Sequence, residues 1–286
     1  MNSTKNIEYI LTLSCPDKRG IVRDVSGFLS DRECNLLDSA QFGDTLTGNF
    51  FMRVHFISEG NRAIALEEEF AVLGQKYAMD WKIQEASYQP RVLILVSKIG
   101  HCLNDLLYRK SSNLLHADVR AVVSNHRDFE ELTKSHLIPF HYLPVTADNK
   151  KEQEERLLEI IKQEKIDLVV LARYMQVLSP ELCRALRGKI INIHHSFLPS
   201  FKGARPYAQA HARGVKLIGA TAHFVTDDLD EGPIIEQDTA RVRHSLTADQ
   251  FTAIGRDVEC VVLARAVDWF LRHRILLNGD KTIVFN

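Results

Sequence analysis

The chain has 286 residues, is 45% hydrophobic and 26% charged, and carries a formal net charge of −1. This composition excludes a long disordered chain and gives no electrostatic case for nucleic acid or an anionic membrane as partner. No window reaches the roughly 20 apolar residues that span a bilayer, and the N-terminus lacks a secretory signal pattern. The five cysteines (Cys15, Cys34, Cys102, Cys183 and Cys260) form no CxxC pair. Neither a disulfide framework nor a structural zinc site is expected, and a reducing cytoplasm is the natural location.

In chain order, "EYILTLSC" is strand-like, and "DKRGIVRDVSGFLSDREC" places Ile21, Val22, Val25, Phe28 and Leu29 at helical spacing. "NLLDSAQFGD" and "NFFMRVHFIS" predict a hairpin around Asp44–Gly48. A helical run from Ala63 to Lys76 then leads to a last strand in "DWKIQEASYQ". The order βαββαβ is the ferredoxin-like pattern. Asp17 is a candidate N-cap for the first helix, and Gly20 lets the backbone approach a neighbour or ligand.

The pattern changes at Gln89–Pro90. "RVLILVS" is a near-continuous apolar run, as expected of a strand buried on both faces. Similar runs recur at "LLHADVRAVVS", "IDLVVLA", "GKIINIH" and "LIGATAHFV", with helical stretches between the earlier ones. Alternating strands and helices predict a doubly wound, mostly parallel, Rossmann-like sheet. A long amphipathic stretch, "TADQFTAIGRDVECVVLARAVDWFLRHRI", predicts a helix packed on it. The expected domains are 1–88 and 89–286, with chemistry at the carboxyl ends of the second domain's strands.

Two clusters there carry chemistry. In "INIHHSFLPSFKGARP", Asn192 and His194 are two apart on a predicted strand and share a face. In "HFVTDDLDEGPII", Asp227, Asp228 and Asp230 follow a strand that ends in His223, and the turn before Gly232-Pro233 could bring Asp230 inward. Asn, His and Asp at one sheet edge supply a hydrogen-bond donor, a titratable group and a base. The bland alternatives are a satisfied buried Asn–His pair and solvated turn aspartates. No GxSxG marks a serine nucleophile, and nothing singles out Ser196. His194 and His195 diverge on a strand and there is no HExxH, so no catalytic metal is expected. The first turn, "LVSKIGHCLNDLL", keeps only Gly100, with Lys98 and His101 nearby, where a phosphate cradle would carry several glycines.

"NIHHSFLPSFKG" and "HFVTDDLDEGP" together resemble the formyltransferase fold that uses 10-formyltetrahydrofolate. The resemblance puts Asn192, His194 and Asp230 at the catalytic positions. It also puts Tyr174, Met175, Gln176 and Val177 of "LARYMQVLSP" at a folate pocket, with His223 a further candidate there. Two departures separate the chain from glycinamide ribonucleotide formyltransferases: the turn Ser97–His101 lacks a Gly-Ser-Gly type cradle, and His195 follows the catalytic His where that enzyme usually has Pro. "LSCPDKRGIVRDVSGFL" resembles an ACT domain, with Asp17, Arg19 and Gly20 as its regulatory candidates.

An ACT unit before a formyltransferase unit resembles the formyltetrahydrofolate deformylase family along essentially the whole chain. That implies hydrolysis of 10-formyltetrahydrofolate to formate and tetrahydrofolate, supplying formate for purine synthesis without a further cofactor. In this scheme Asn192 and His194 bind the oxyanion and Asp230, directly or through His194, activates water. His195, Lys202, Arg205 and Tyr207 fill the acceptor's place. It also implies a homo-oligomer through the ACT units and, with equal weight, either an amino-acid effector or a platform without ligand. The alternatives are transfer of the formyl group to a small amine and a non-catalytic folate or amino-acid sensor.

Overall fold

A computed structural model describes residues 6–198 and 206–286. Two units are distinguished: 1–88 joined by 272–286, and 89–271.

In the first unit, β1 (Asn6–Pro16), α1 (Ile21–Ser30), β2 (Asn35–Asp44), β3 (Asn49–Glu59), α2 (Ala63–Tyr77) and β4 (Asp80–Glu85) follow the expected βαββαβ order. They build a four-stranded sheet ordered β2-β3-β1-β4, with every neighbouring pair antiparallel. Alternating residues of β1 (Tyr9, Leu11, Leu13, Cys15) meet the buried face of α1 (Ile21, Val25, Phe28, Leu29) and Leu66 and Phe70 of α2. Phe28 and Phe70 meet edge to face at 5.1 Å. The proposed Asp17 cap is corrected. Gly20 occupies the N-cap at φ 96 with no side-chain cap, while Asp17 spends its backbone N–H on Gly48 O at 2.8 Å. That φ lies in the region only glycine enters freely, so Gly20 shapes the turn into α1.

The second unit contains β5 (Arg91–Val96), α3 (His101–Ser111), β6 (Asp118–Ser124), α4 (Glu130–Ser135), β7 (Phe140–Tyr142), α5 (Lys150–Gln163), β8 (Leu168–Leu171), α6 (Pro180–Ala185), β9 (Ile190–His194), α7 (Pro206–Ala212), β10 (Leu217–Phe224), β11 (Ile234–Arg241) and α8 (Ala248–Leu271). Its seven-stranded sheet runs β11-β10-β9-β8-β5-β6-β7. The five strands from β7 to β9 are parallel. The strand order reverses between β5 and β8, so the crevice beyond their carboxyl ends is where such sheets bind ligands. The parallel reading of "LIGATAHFV" is corrected: β10 runs antiparallel to β9 and hairpins into β11, a strand the sequence pattern did not mark. The long C-terminal helix is present as α8, packed against β9, β10 and β11.

The tail after α8 also departs from expectation. β12 (Ile275–Asn278) and β13 (Lys281–Val284) form a hairpin that belongs to the first unit, so 89–286 is not one domain. Polar contacts tie the tail there. Arg53 Nη2 donates to Arg272 O at 3.3 Å, and Asn278 Nδ2 donates to Asp44 Oδ2 at 2.7 Å.

Candidate active site

β9 ends on the site. Its alternation buries Ile191 and Ile193 and places Asn192 and His194 together on the other face. Antiparallel pairing sets His223 of β10 in register opposite Asn192. The loop after β10 then folds back: Phe224 N donates to Pro233 O at 2.9 Å. Gly232 is required there, because a Cβ would stand 1.8 Å from Phe224 O. The fold-back puts Asp230, at φ 58, beside His194, with Oδ1 3.2 Å from Nδ1. A non-glycine residue in this left-handed conformation stores strain of the kind that collects at functional sites. Asp227 turns away to pair with Arg184 at 3.2 Å.

Protons can be placed from these contacts. Asp230 is held below the usual carboxylate range, first by the His194 hydrogen bond, and burial opposes this. The ionised carboxylate only accepts, so His194 Nδ1 donates to it. His194 Nε2 is buried and has no partner among the described residues. His223 Nδ1 lies 2.9 Å from Phe224 O and must donate, because a carbonyl oxygen only accepts. Burial lowers the pKa of His223 and keeps the ring neutral, so its Nε2 accepts from Asn192 Nδ2 at 3.2 Å. One N–H of Asn192 is thereby fixed, and the other has no partner among the described residues. His223 also lines the cavity, but both ring nitrogens are committed to Phe224 and Asn192.

Asn192, His194, His223 and Asp230 open into a cavity of about 870 Å³, within the usual range for small-molecule sites. Tyr174, Met175, Gln176 and Val177 line it from the loop after β8. Met175 and Val177 are exposed, at 57% and 55%, an apolar surface suited to a flat ring. Burial, then Glu154, pushes Tyr174 up to about 12, so its hydroxyl stays protonated. His195 and Tyr207 also line the cavity. Burial, then the Arg173 charge, pulls His195 down to about 4, and it is neutral at pH 7. Lys202 and Arg205 lie outside the described residues.

The sequence reading missed a second polar cluster in this cavity. Glu259 of α8, 1% exposed, accepts from Tyr207 Oη at 2.7 Å, lies 2.9 Å from His101 Nε2 and forms an ion pair with Arg173 Nε at 3.5 Å. The signal was present: Glu259 is the single carboxylate in the otherwise mostly apolar run "VECVVLARAV", one turn from other core positions. Ser97 braces this end: its N–H donates to Arg173 O at 3.2 Å, and its Oγ accepts from Met175 N at 3.0 Å. Among the described residues, the potential metal ligands that converge are His101, Cys102 and Cys260, with donor atoms within 4.8 Å. There the Cys260 hydrogen bond, then burial, holds the Cys102 thiol far above its usual range, which works against the thiolate a metal needs.

Comparison with known proteins gives the same architecture. Residues 90–267 match the formyl transferase family model and residues 9–74 the ACT domain model. A formyltetrahydrofolate deformylase from Bacillus subtilis is 48% identical over 279 residues, 96% of this chain and 93% of the relative. The crystal structure of the deformylase from Burkholderia mallei superposes with a TM-score of 0.95 at 52% identity, covering 98% of this chain and 100% of that one. Glycinamide ribonucleotide transformylase 1 from Symbiobacterium toebii gives 0.65 at 27% identity over 69% of this chain and 95% of that one. Fold and site thus define a formyl transferase catalytic unit preceded by an ACT unit. The chain belongs to the formyltetrahydrofolate deformylase family.

Proposed function

We propose that the chain hydrolyses 10-formyltetrahydrofolate to formate and tetrahydrofolate, supplying formate for purine synthesis and balancing the one-carbon pool. The observation that carries the reading is the pair His194–Asp230. Its carboxylate fixes one ring nitrogen at 3.2 Å and leaves the other, Nε2, without a partner among the described residues, at the cavity beside Asn192.

The steps need side chains and water. His194 Nε2 takes a proton from water as its oxygen bonds to the formyl carbon. The carbonyl oxygen becomes anionic and accepts from the free N–H of Asn192, which His223 holds in place. Asp230 stabilises the imidazolium. The C–N10 bond then breaks as His194 Nε2–H returns the proton to N10, leaving formic acid, which ionises to formate. His194 is thus the general base, and Asp230 orients its ring and supports its positive charge. His194 becomes a donor only after protonation, so the oxyanion rests first on Asn192.

Transfer to a phosphorylated amine fits less well. At the first strand–helix turn Phe129 packs onto Gly100, where a glycine-rich cradle would leave room for a phosphate. The substrate's ring is proposed to lie on Tyr174–Val177. For the first unit, a homo-oligomer is supported by the edge position and exposure of β2, where Leu37 and Phe42 are each 45% exposed. A small amino-acid effector rests on the ACT match, with exposed Asp17 and Arg19 near Gly20 as its candidate contacts.

The test is formate release from 10-formyltetrahydrofolate with no amine present. Stoichiometric formate and tetrahydrofolate are expected. Asp230→Asn should slow turnover about 100–10,000-fold with folate binding retained. Tight folate binding without formate release by the wild-type protein would sink the hydrolase reading.

A further inference from the structure

The proposed mechanism leaves the Glu259 cluster without a role, although it lines the same cavity and is costly to bury. A buried carboxylate must be paired and hydrogen-bonded. Glu259 is: one oxygen takes Tyr207 Oη at 2.7 Å, the other faces His101 Nε2 at 2.9 Å and Arg173 Nε at 3.5 Å. Burial opposes its charge, but the His101 hydrogen bond, the Arg173 charge and the Tyr207 hydroxyl outweigh it and hold its pKa below the usual range.

Arg173 is the partner that is not used up. Its side chain is 9% exposed, and it lines the cavity. Its Nε side faces Glu259 without making a hydrogen bond, and neither Nη has a partner among the described residues. Its backbone sits at φ 65, left-handed and unfavourable for arginine, and is pinned by Ser97 N–H on its carbonyl. A strained backbone and a buried counter-ion fix a guanidinium whose outer edge is open. That edge is a planar two-donor fork, the shape that grips a carboxylate with two parallel hydrogen bonds. His195 lies close to both clusters: its ring is 5.1 Å from that of His194 and 6.4 Å from that of Tyr207, the Glu259 partner.

We propose that Arg173, positioned by Glu259, Tyr207 and His101, binds the formate product. This rests on the hydrolase reading. In that reaction the water oxygen and the former carbonyl oxygen become the two oxygens of formate. Once the C–N10 bond has broken and formic acid has given its proton to solvent, the anion moves from Asn192 to the guanidinium edge. The same positive charge disfavours a protonated amine at this end of the cavity, where a transferase would seat its acceptor.

The test measures formate affinity by product inhibition and, without turnover, by saturation-transfer NMR from the protein to the formate proton. Arg173→Gly removes the fork and relieves the left-handed backbone. It should weaken formate binding about 10–100-fold, the range for losing charge-assisted hydrogen bonds. Arg173→Lys should recover part of that loss. Glu259→Gln, which loosens the guanidinium, should raise the formate inhibition constant more than the KM for the folate substrate. Unchanged formate affinity in folded Arg173→Gly overturns the proposal, as does affinity that survives there and is lost in Asn192→Ala. If the glycine variant does not fold, the wild-type protein decides: no saturation transfer to formate, or transfer that nitrate fails to compete, overturns it. Failure of the hydrolase reading itself would appear separately, as no formate released from 10-formyltetrahydrofolate by a protein that still binds formate.

Discussion

Two carboxylates face histidines in the same cavity and are built to opposite ends. Asp230 arrives on a loop, is 21% exposed, and has His194 at 3.2 Å and His223 at 3.8 Å. Glu259 projects from the middle of the longest helix, is 1% exposed, and is surrounded by His101, Tyr207 and Arg173. The difference lies in where the spare capacity sits. At Asp230 it is on the partner, since His194 keeps a free nitrogen; that suits a group through which a proton must pass. At Glu259 it is on Arg173, a group that is never deprotonated; that suits holding an anion. The same side-chain types serve chemistry or binding according to whether the unused valence titrates.

The comparison is broken most forcefully at Glu259. Glu259→Ala leaves the Arg173 guanidinium buried without its counter-ion, and removing one partner of a buried pair costs about 3–5 kcal/mol. Urea denaturation should show that loss. An unchanged midpoint would mean that the cluster is solvated and is no anchor.

Next in size is Asn192→Ala, which tests the open site alone. Loss of one oxyanion donor costs about 100–1000-fold in kcat, with KM nearly unchanged because the donor acts on charge that develops only in the transition state. A rise in KM at constant kcat would instead make Asn192 a substrate-binding residue.

How much of this was legible differs between the two clusters for a physical reason. Asn192, His194 and Asp230 stand in a strand and a turn, so strand alternation and one glycine-proline turn brought them to one sheet edge; their catalytic roles came from the resemblance to the formyltransferase fold. Arg173 and Glu259 become neighbours only when the β8 loop and α8 meet, 86 residues apart in sequence, and no local period encodes that meeting. Arg173 lies inside "LARYMQVLSP" and still went unremarked, because its left-handed backbone is a property of the fold. The role of His223 was hidden by strand direction. "LIGATAHFV" is mostly apolar, like the parallel strands before it; only the antiparallel pairing sets His223 across from Asn192. β11 escaped because an edge strand reading "IIEQDTAR" has little apolar alternation. The C-terminal hairpin escaped because contacts such as Asn278 with Asp44 join positions 234 residues apart, which no local pattern encodes.

The smallest effect tests where the two clusters meet. His195 is pulled down to about 4, by burial first and by Arg173 second, and burial lowers His223 as well. The sign follows from which state binds the proton. Below the ordinary imidazole value of about 6.5 the unfolded chain protonates His195 while the folded one resists until about 4, so stability falls as pH drops from about 6.5 towards 4. Asp230 acts in a separate, lower window: its depressed pKa contributes stability above the ordinary aspartate range, lost only as pH falls through the folded value. Replacing His195 by Gln should therefore remove part of the acid destabilisation between these limits, on the order of 2 kcal/mol at about pH 4.5, and leave the steeper loss below it unchanged. Urea midpoints from pH 7.5 to 4.5 for the two proteins measure this. If the curves stay parallel, His195 is already protonated or solvated in the folded state, and the positive edge of Arg173 does not reach it.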